Sequence, residues 1–183
     1  GLRAVKEEIT NLVNLTRVQQ IRASHGFSNA DVSLHLVFAG NPGTGKTTVA
    51  RILAKIYRAL GILQTDNLVE VDRSGLVAGY VGQTAIKTKE VIDSAIGGVL
   101  FIDEAYALTP DHSDNDYGKE AIDTLLKAME DHRDELVVIV AGYTELMGKF
   151  IESNPGLKSR FNRYINFEDY APEELLEIFH KQA

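Results

Sequence analysis

The fold of this protein is decided by residues 34–47, which read LHLVFAGNPGTGKT. Leu34–Ala39 is a short, largely apolar run without clean alternation, which favours a strand buried on both faces. Gly40–Thr47 matches the phosphate-binding loop pattern of glycine, four residues, glycine, lysine and threonine. Helical spacing of apolar residues then resumes over Thr47–Leu60. The loop pattern therefore lies between a strand and a helix, which is the context that it requires.

The chemistry of an anion-binding loop explains these residue types. Glycines admit backbone conformations that turn successive N–H groups inward, and the helix N-terminus adds a partial positive charge. We expect Lys46 to lie between the β- and γ-phosphates and the Thr47 hydroxyl to bind magnesium. A glycine turn followed by one exposed lysine is the alternative, and the match in its full context argues against it. The predicted nucleotide contacts are Asn41, Pro42, Gly43, Thr44, Gly45, Lys46, Thr47, Thr48 and Asp103.

A second group of candidate residues follows another buried strand. Val99–Ile102 is bulky and hydrophobic, and it ends in Asp103-Glu104. Carboxyl ends of parallel strands meet at one edge of the sheet, so these acids should face the loop. We expect Asp103 to hold magnesium and Glu104 to act as general base on the attacking water. The alternative is a pair of acids that only make a turn soluble.

Strands and helices alternate along the chain, which predicts a parallel five-stranded sheet with helices on both faces. Thr109–Tyr117 reads as an exposed loop. The predicted strands are Leu34–Ala39, Leu68–Asp72, Val99–Asp103, Leu136–Ala141 and Tyr164–Phe167. The predicted helices are an opening one from Leu2 to about Ile21, then Thr47–Leu60, Thr84–Ala95, Lys119–His132 and Pro172–His180.

Length and composition narrow the classes of function. The chain has 183 residues, 44% of them hydrophobic, which is about one globular domain. A net charge of −7 argues against nucleic acid as a partner, because duplex binding needs a positive field. There is no cysteine, which excludes disulfides and thiolate sites. No apolar run approaches the ~18 residues of a membrane span, so we expect no membrane partner and a cytoplasmic location.

Several ordered motifs resemble those of the AAA+ ATPases, and more narrowly the group of bacterial stage V sporulation protein K and red-type Rubisco activase. The resemblance implies a P-loop NTPase-type fold, with residues 1–183 as the large α/β subdomain. It also implies ATP and Mg²⁺ as cofactors, and a homo-oligomeric ring, usually hexameric, that pulls on a peptide of a client protein. The matching motifs are Gly40–Thr47, Gly79–Thr84, Gly98–Leu108, Tyr117–Asp131, Ala141–Tyr143 and Ser159–Arg163.

The resemblance also assigns residues outside the loop and the acid pair. Arg160 and Arg163 match an arginine pair that reaches the nucleotide of the neighbouring subunit, where a rigid guanidinium suits the charge on a transferring phosphoryl group. Tyr80 and Val81 match the gripping residues of a pore loop. The alternatives are two surface arginines and a tyrosine packed under a turn.

Two departures from the family pattern affect the expected site. The family commonly has an asparagine after the fourth strand, where this chain has Gly142-Tyr143-Thr144, so Tyr143 and Thr144 are the candidate replacements. The family's small helical lid would follow Ala183, and its adenine-contacting backbone would begin near Gly1. We therefore expect these residues alone to bind nucleotide weakly and to assemble poorly.

Three classes of function stay open at this point. The first is an ATP-hydrolysing motor that remodels a protein. The second is a nucleotide-gated interaction module with little hydrolysis, which would not need Glu104. The third is a small-molecule phosphotransferase, which usually carries an arginine-rich lid that we do not find between Gly75 and Gly98. The sequence does not name the client.

Overall fold

The computed structural model describes residues 2–27, 33–80, 82–109 and 117–169. Five strands form one sheet, and a 3₁₀ turn at Ala105–Leu108 follows the third strand. The strands are β1 (Leu36–Gly40), β2 (Leu68–Val71), β3 (Val99–Asp103), β4 (Val137–Gly142) and β5 (Tyr164–Phe167). The helices are α1 (Leu2–Ser24), α2 (Lys46–Ala59), α3 (Arg73–Leu76), α4 (Gln83–Ala95), α5 (Tyr117–Asp131), α6 (Thr144–Glu152) and α7 (Pro155–Arg160).

All strand pairs are parallel, and the spatial order is β2-β3-β4-β1-β5. Asp103 lies opposite Ala141, and Ala39 lies opposite Gly142. The carboxyl ends of β3, β4 and β1 are therefore neighbours at one edge. The predicted fold, a parallel five-stranded sheet between helices, is confirmed.

The central strands β3, β4 and β1 are buried on both faces, which explains why they lack a clean polar alternation. Leu100 and Ile102 point into a core under helices α3 to α7. Phe101, between them, points into a second core under α1 and α2. Because successive side chains alternate across a strand, every second residue of β3 serves each core.

The segment between β4 and β5 differs from the sequence-based prediction, which placed no helix there. Met147, Phe150 and Ile151 are buried in α6 at helical spacing. Asn154 caps α7, because its Oδ1 accepts a hydrogen bond of 2.8 Å from the Gly156 N–H, and Pro155 follows the cap. The helical spacing of these apolar residues and the Asn-Pro pair are sequence features from which the two helices could have been predicted.

Other differences are small. The opening helix continues to Ser24, and β1 and β4 begin at Leu36 and Val137, later than predicted. The predicted helix Pro172–His180 and most of the predicted loop Thr109–Tyr117 lie outside the described residues. Across the part of the chain that the structure describes, none of the helices combines the length and the apolar character needed to cross a membrane.

Candidate active site

The loop between β1 and α2 has the backbone of an anion cradle. Gly43 and Gly45 have φ angles of 76° and 92°, a region that other residues rarely adopt. No side chain caps the N-terminus of α2 at Gly45. The first N–H groups of this helix are therefore left for a ligand.

The Lys46 ammonium lies across this loop. Its Nζ donates hydrogen bonds of 2.7 Å to the carbonyl oxygens of Gly40 and Asn41. Burial lowers the pKa of Lys46, and the carboxylate of Asp103 acts in the opposite direction. Lys46 and Asp103 therefore interact electrostatically, whereas the groups that accept hydrogen bonds from Lys46 are neutral carbonyls.

A cavity of about 440 Å³ joins the loop to the acids that end β3. This convergence follows from the sheet order, since β4 alone separates β3 from β1. Cationic, hydroxyl and carboxylate side chains therefore line the same cavity. Its lining residues are Gly40, Pro42, Gly43, Gly45, Lys46, Thr47, Thr48, Phe101, Asp103, Glu104, Gly142 and Tyr143.

The two acids differ in local conformation. Asp103 ends β3, and one of its carboxylate oxygens accepts a hydrogen bond of 2.9 Å from the backbone N–H of Glu104. Glu104 has φ 49° and ψ 45°, and no other described non-glycine residue has a positive φ. Such backbone strain is frequent at functional sites. The turn leaves Glu104 exposed at the mouth of the cavity, where a carboxylate can accept a proton from water.

The donor set fits a magnesium ion that is shared with phosphates. The Thr47 hydroxyl and the Asp103 carboxylate line the same cavity. The described ranges hold no group of three or more His, Cys, Asp or Glu residues able to bind a metal by themselves. Mg²⁺ usually binds through one or two carboxylates together with substrate phosphates, so oxygen ligands of this number suit it.

Three of the predicted site residues do not line the cavity, namely the predicted nucleotide contacts Asn41 and Thr44 and the candidate Thr144 after β4. The Asn41 amide donates to the carboxylate of Asp169 at 2.9 and 3.2 Å. The Thr44 hydroxyl is buried and donates to the Asn41 carbonyl at 2.7 Å, which stabilises the loop from inside. Thr144 is exposed at the start of α6 and is not part of the cavity lining, whereas Tyr143 is.

Tyr106 is a neighbour of the site that the sequence did not single out. Its ring centroid lies 6.3 Å from that of Tyr143. Burial raises the pKa of Tyr106, and Glu104, Tyr143 and Asp103 raise it further. Its position two residues after Glu104 is the sequence feature that could have indicated that Tyr106 lies beside the site.

The predicted arginine pair lies at the amino ends of the strands, at the edge of the sheet opposite the cavity. Arg160 and Arg163 precede β5, and the Arg163 carbonyl accepts a hydrogen bond from the N–H of Val37 near the start of β1. Parallel strands place these starts opposite the phosphate loop. The structure therefore does not bring either arginine to the cavity of its own chain.

The two guanidinium groups have different neighbours. Arg160 lies 3.4 Å from a carboxylate oxygen of Glu130 in α5. The charge of Arg163 instead lowers the pKa of Glu8 in α1 and of Tyr57 in α2, against the larger effect of burial.

Tyr80 lies on an exposed bend and is not part of the cavity lining. Its surface is 76% exposed, and a Cβ added at Gly79 or Gly82 would meet nothing within 4 Å. The base of the bend is held by Thr84, whose hydroxyl oxygen accepts a hydrogen bond of 3.0 Å from the Ala78 N–H. Val81 lies outside the described residues.

Curated relatives match almost the whole chain. It is 51% identical to the ESX-3 secretion system protein EccA3 of Mycobacterium leprae over 183 residues, all of this chain and 29% of that protein. It is 51% identical over 178 residues to the plasmid-encoded protein CbxX of Cupriavidus necator, and equally to the chloroplastic ribulose bisphosphate carboxylase/oxygenase activase of Cyanidioschyzon merolae. These alignments cover 97% of this chain and 56% and 61% of the relatives. The chain thus spans less than two thirds of each relative's length.

A solved structure and a family model agree with the fold. The FIGL-1 AAA domain in complex with ADP superposes with a TM-score of 0.60 at 19% identity, over 82% of this chain and 48% of that one. This likeness concerns the fold. Residues 36–169 match the model of the ATPase family associated with various cellular activities (AAA). With a phosphate loop, a strand-end acid pair and this match over most of its length, the chain belongs to the AAA family of ATPases.

Proposed function

We propose that the chain is the catalytic core, the large α/β subdomain, of a Mg²⁺-dependent ATPase whose assembled form remodels a protein client. The observation that carries the proposal is the single cavity lined by Lys46, Thr47, Asp103 and Glu104. Cation, hydroxyl and two carboxylates are the groups that phosphoryl transfer to water requires. The ADP held by the FIGL-1 AAA domain supports the nucleotide class.

Each group at the cavity would have one task. The open N–H groups of the loop and the Lys46 ammonium bind the phosphates, which replace the carbonyls of Gly40 and Asn41 as partners of Nζ. Thr47 and Asp103 would hold magnesium, which when bound neutralises phosphate charge. Glu104 orients the attacking water and accepts its proton. The Tyr143 hydroxyl is the candidate for the polar group that the family usually has after β4.

The position of the arginines supports an oligomeric enzyme. Arg160 and Arg163 lie at the sheet edge opposite the cavity, so they can contribute to hydrolysis only in another copy. A ring in which this edge faces a neighbour's cavity would supply the missing positive charge. We extend the proposal to the hexameric ring expected from the sequence.

The exposed bend at Tyr80 supports a protein client. A protruding aromatic between two unobstructed glycines can press on a peptide without requiring a particular side chain. The Arg73 guanidinium donates a hydrogen bond of 2.7 Å to the carbonyl of Ala107, which links the segment before this bend to the turn after Glu104. The ribulose bisphosphate carboxylase/oxygenase activase among the relatives supports a protein as the client. Membership of the sporulation protein K group and a cytoplasmic location are part of the same proposal.

The test of the proposal separates binding from hydrolysis. Glu104→Gln keeps the size of the side chain and removes the base, so ATP affinity should persist while turnover falls by about 100-fold or more. Glu90→Gln, on the exposed side of α4, is the matched control and should hydrolyse ATP normally. Equal turnover in both variants would refute the role of Glu104. ATP binding with negligible hydrolysis in the unmodified assembly would favour the nucleotide-gated module instead.

A mixing experiment tests the arginines. Copies that carry Lys46→Ala lack the phosphate-binding ammonium but retain Arg160. Copies that carry Arg160→Ala lack the arginine but retain Lys46. Each variant alone should be inactive, and mixed oligomers should regain part of the hydrolysis. Absence of any recovery, when co-assembly is verified, would contradict action between copies.

A further inference from the structure

Glu70 of the edge strand β2 faces the same side of the sheet as Asp103. Glu70 pairs with Phe101, whose side chain packs into the core under α1 and α2. Asp103 follows Phe101 by two residues and therefore lies on the same face. Glu70 and Asp103 are thus diagonal neighbours across two hydrogen-bonded strands, beneath the start of α2.

Two residues of α2 reach the Glu70 carboxylate, one on each oxygen. The Thr47 hydroxyl donates to Oε1 at 3.5 Å, and a guanidinium nitrogen of Arg51 lies 4.0 Å from Oε2. Thr47 and Arg51 are four residues apart and share one face of the helix. The carboxylate is therefore held beside the hydroxyl that we assign to magnesium.

A threonine that binds a cation uses an oxygen lone pair, and its hydroxyl proton then needs an acceptor elsewhere. Asp103 is engaged by the backbone N–H of Glu104 through one oxygen. Glu70 presents an acceptor directly to the Thr47 hydroxyl. Partners of this kind orient metal ligands and increase their affinity for the ion.

We propose that Glu70 is a positioning residue of the magnesium site, which accepts a hydrogen bond from the Thr47 hydroxyl and adds a negative charge beside this ligand. This inference rests on the proposed function. The competing hypothesis is a purely structural role, in which the contacts of Glu70 only hold β2 against α2. That tie is weak, because the Glu70 and Arg51 side chains are 42% and 58% exposed and such ion pairs contribute little.

The experiment measures metal and nucleotide affinity separately in purified protein. Mn²⁺, detected by electron paramagnetic resonance, replaces Mg²⁺ in titrations of the ADP-saturated protein, and ADP affinity is measured again in EDTA. Glu70→Gln should weaken Mn²⁺ binding by about tenfold, the lower part of the range for outer-shell partners of metal ligands. It should leave ADP affinity in EDTA unchanged or higher, since a negative charge near the phosphates is lost.

Two further variants separate the accounts. Arg51→Gln removes the cation that competes for Glu70, so Mn²⁺ affinity should be equal or higher, whereas a structural tie would weaken with either substitution. Glu7→Gln, exposed on α1, is the control for the loss of one charge and should match the unmodified protein. Thermal unfolding without ligand should be the same in all variants.

Three results would overturn the inference. The first is an unchanged Mn²⁺ affinity in Glu70→Gln while the unmodified protein binds ADP and metal together, which leaves the proposed function intact. The second is an equal loss of ADP affinity with and without metal, which indicates a structural role. The third is an unmodified protein that binds no nucleotide, which would overturn both proposals.

Discussion

The rings of Tyr106 and Tyr143 lie with their centroids 6.3 Å apart and their planes inclined by 46°. Gly142 makes this arrangement possible. A Cβ at that position would lie 3.0 Å from two atoms of the Tyr106 ring and 2.8 Å from the Met147 sulfur. The wall of the cavity beyond β4 therefore depends on the absence of a side chain at one residue.

Gly142→Ala should consequently destabilise the protein and disturb the nucleotide site. Crowding of a packed core typically costs about 1–3 kcal/mol, and the Tyr106 ring would have to move. Thermal unfolding and ATP titration measure the two effects. Gly148→Ala is the matched control, because a Cβ there meets nothing within 4 Å and alanine suits the interior of α6 better by about 1 kcal/mol. A similar stability for both variants would show that the cavity wall adapts without cost.

Lys46→Ala should abolish most nucleotide binding. The ammonium is the cation that contacts the loop, and charge-assisted hydrogen bonds contribute about 1.5–3 kcal/mol each, so affinity should fall by roughly 100-fold. Titration with a fluorescent ATP analogue measures the change. Lys55→Ala, exposed on the same helix, serves as the control. Unchanged affinity in Lys46→Ala would remove the phosphate-loop assignment.

Stability should fall in mild acid because of His35. Burial, and next to it the Arg160 charge, lower the pKa of His35 to about 4. An unfolded histidine titrates near pH 6.5, so below that pH the unfolded chain takes up a proton that the folded one does not. The stabilising contribution is complete above pH 6.5 and is lost as the pH falls toward 4. Between pH 7 and pH 5 this amounts to about 2 kcal/mol, at ~1.4 kcal/mol per pKa unit.

Denaturant unfolding of His35→Asn at both pH values isolates this contribution. The asparagine Oδ1 takes the place of the His35 Nδ1, which accepts a hydrogen bond of 2.9 Å from the Val138 N–H, so that this N–H keeps an acceptor. The pH dependence of stability should be smaller in the variant by about 2 kcal/mol. An identical dependence in both proteins would mean that the pKa of His35 is the same in the folded and the unfolded chain.

Tyr57→Phe should be neutral or stabilising. The Tyr57 hydroxyl is buried and has no hydrogen-bond partner among the described residues, and burial raises the pKa of this phenol. Removal of an unsatisfied buried hydroxyl should raise the free energy of unfolding by up to about 1 kcal/mol. Tyr164→Phe, where the side chain is partly exposed, should change it by less than about 0.5 kcal/mol. A clear loss of stability in Tyr57→Phe would reveal a partner for the hydroxyl.

Much of the candidate site could be predicted from local sequence. The phosphate loop is continuous in the chain, and its glycines and lysine act through backbone geometry and charge that neighbouring residues determine. Asp103 and Glu104 were predictable because a buried parallel strand can only deliver such acids to its carboxyl edge. Roles for these residues follow from chemistry that needs no knowledge of distant contacts.

The other features depended on how the strands are ordered. The sequence alone determined a parallel sheet with a phosphate loop and two acids at one edge, since motif and hydrophobic pattern are local properties. Only the tertiary structure decided that Glu70 meets Thr47, that Tyr106 packs on Tyr143, and that Arg160 and Arg163 lie at the edge of the sheet opposite the cavity. Those contacts join residues that are distant in the chain, and they arise from the order β2-β3-β4-β1-β5, which periodicity does not encode.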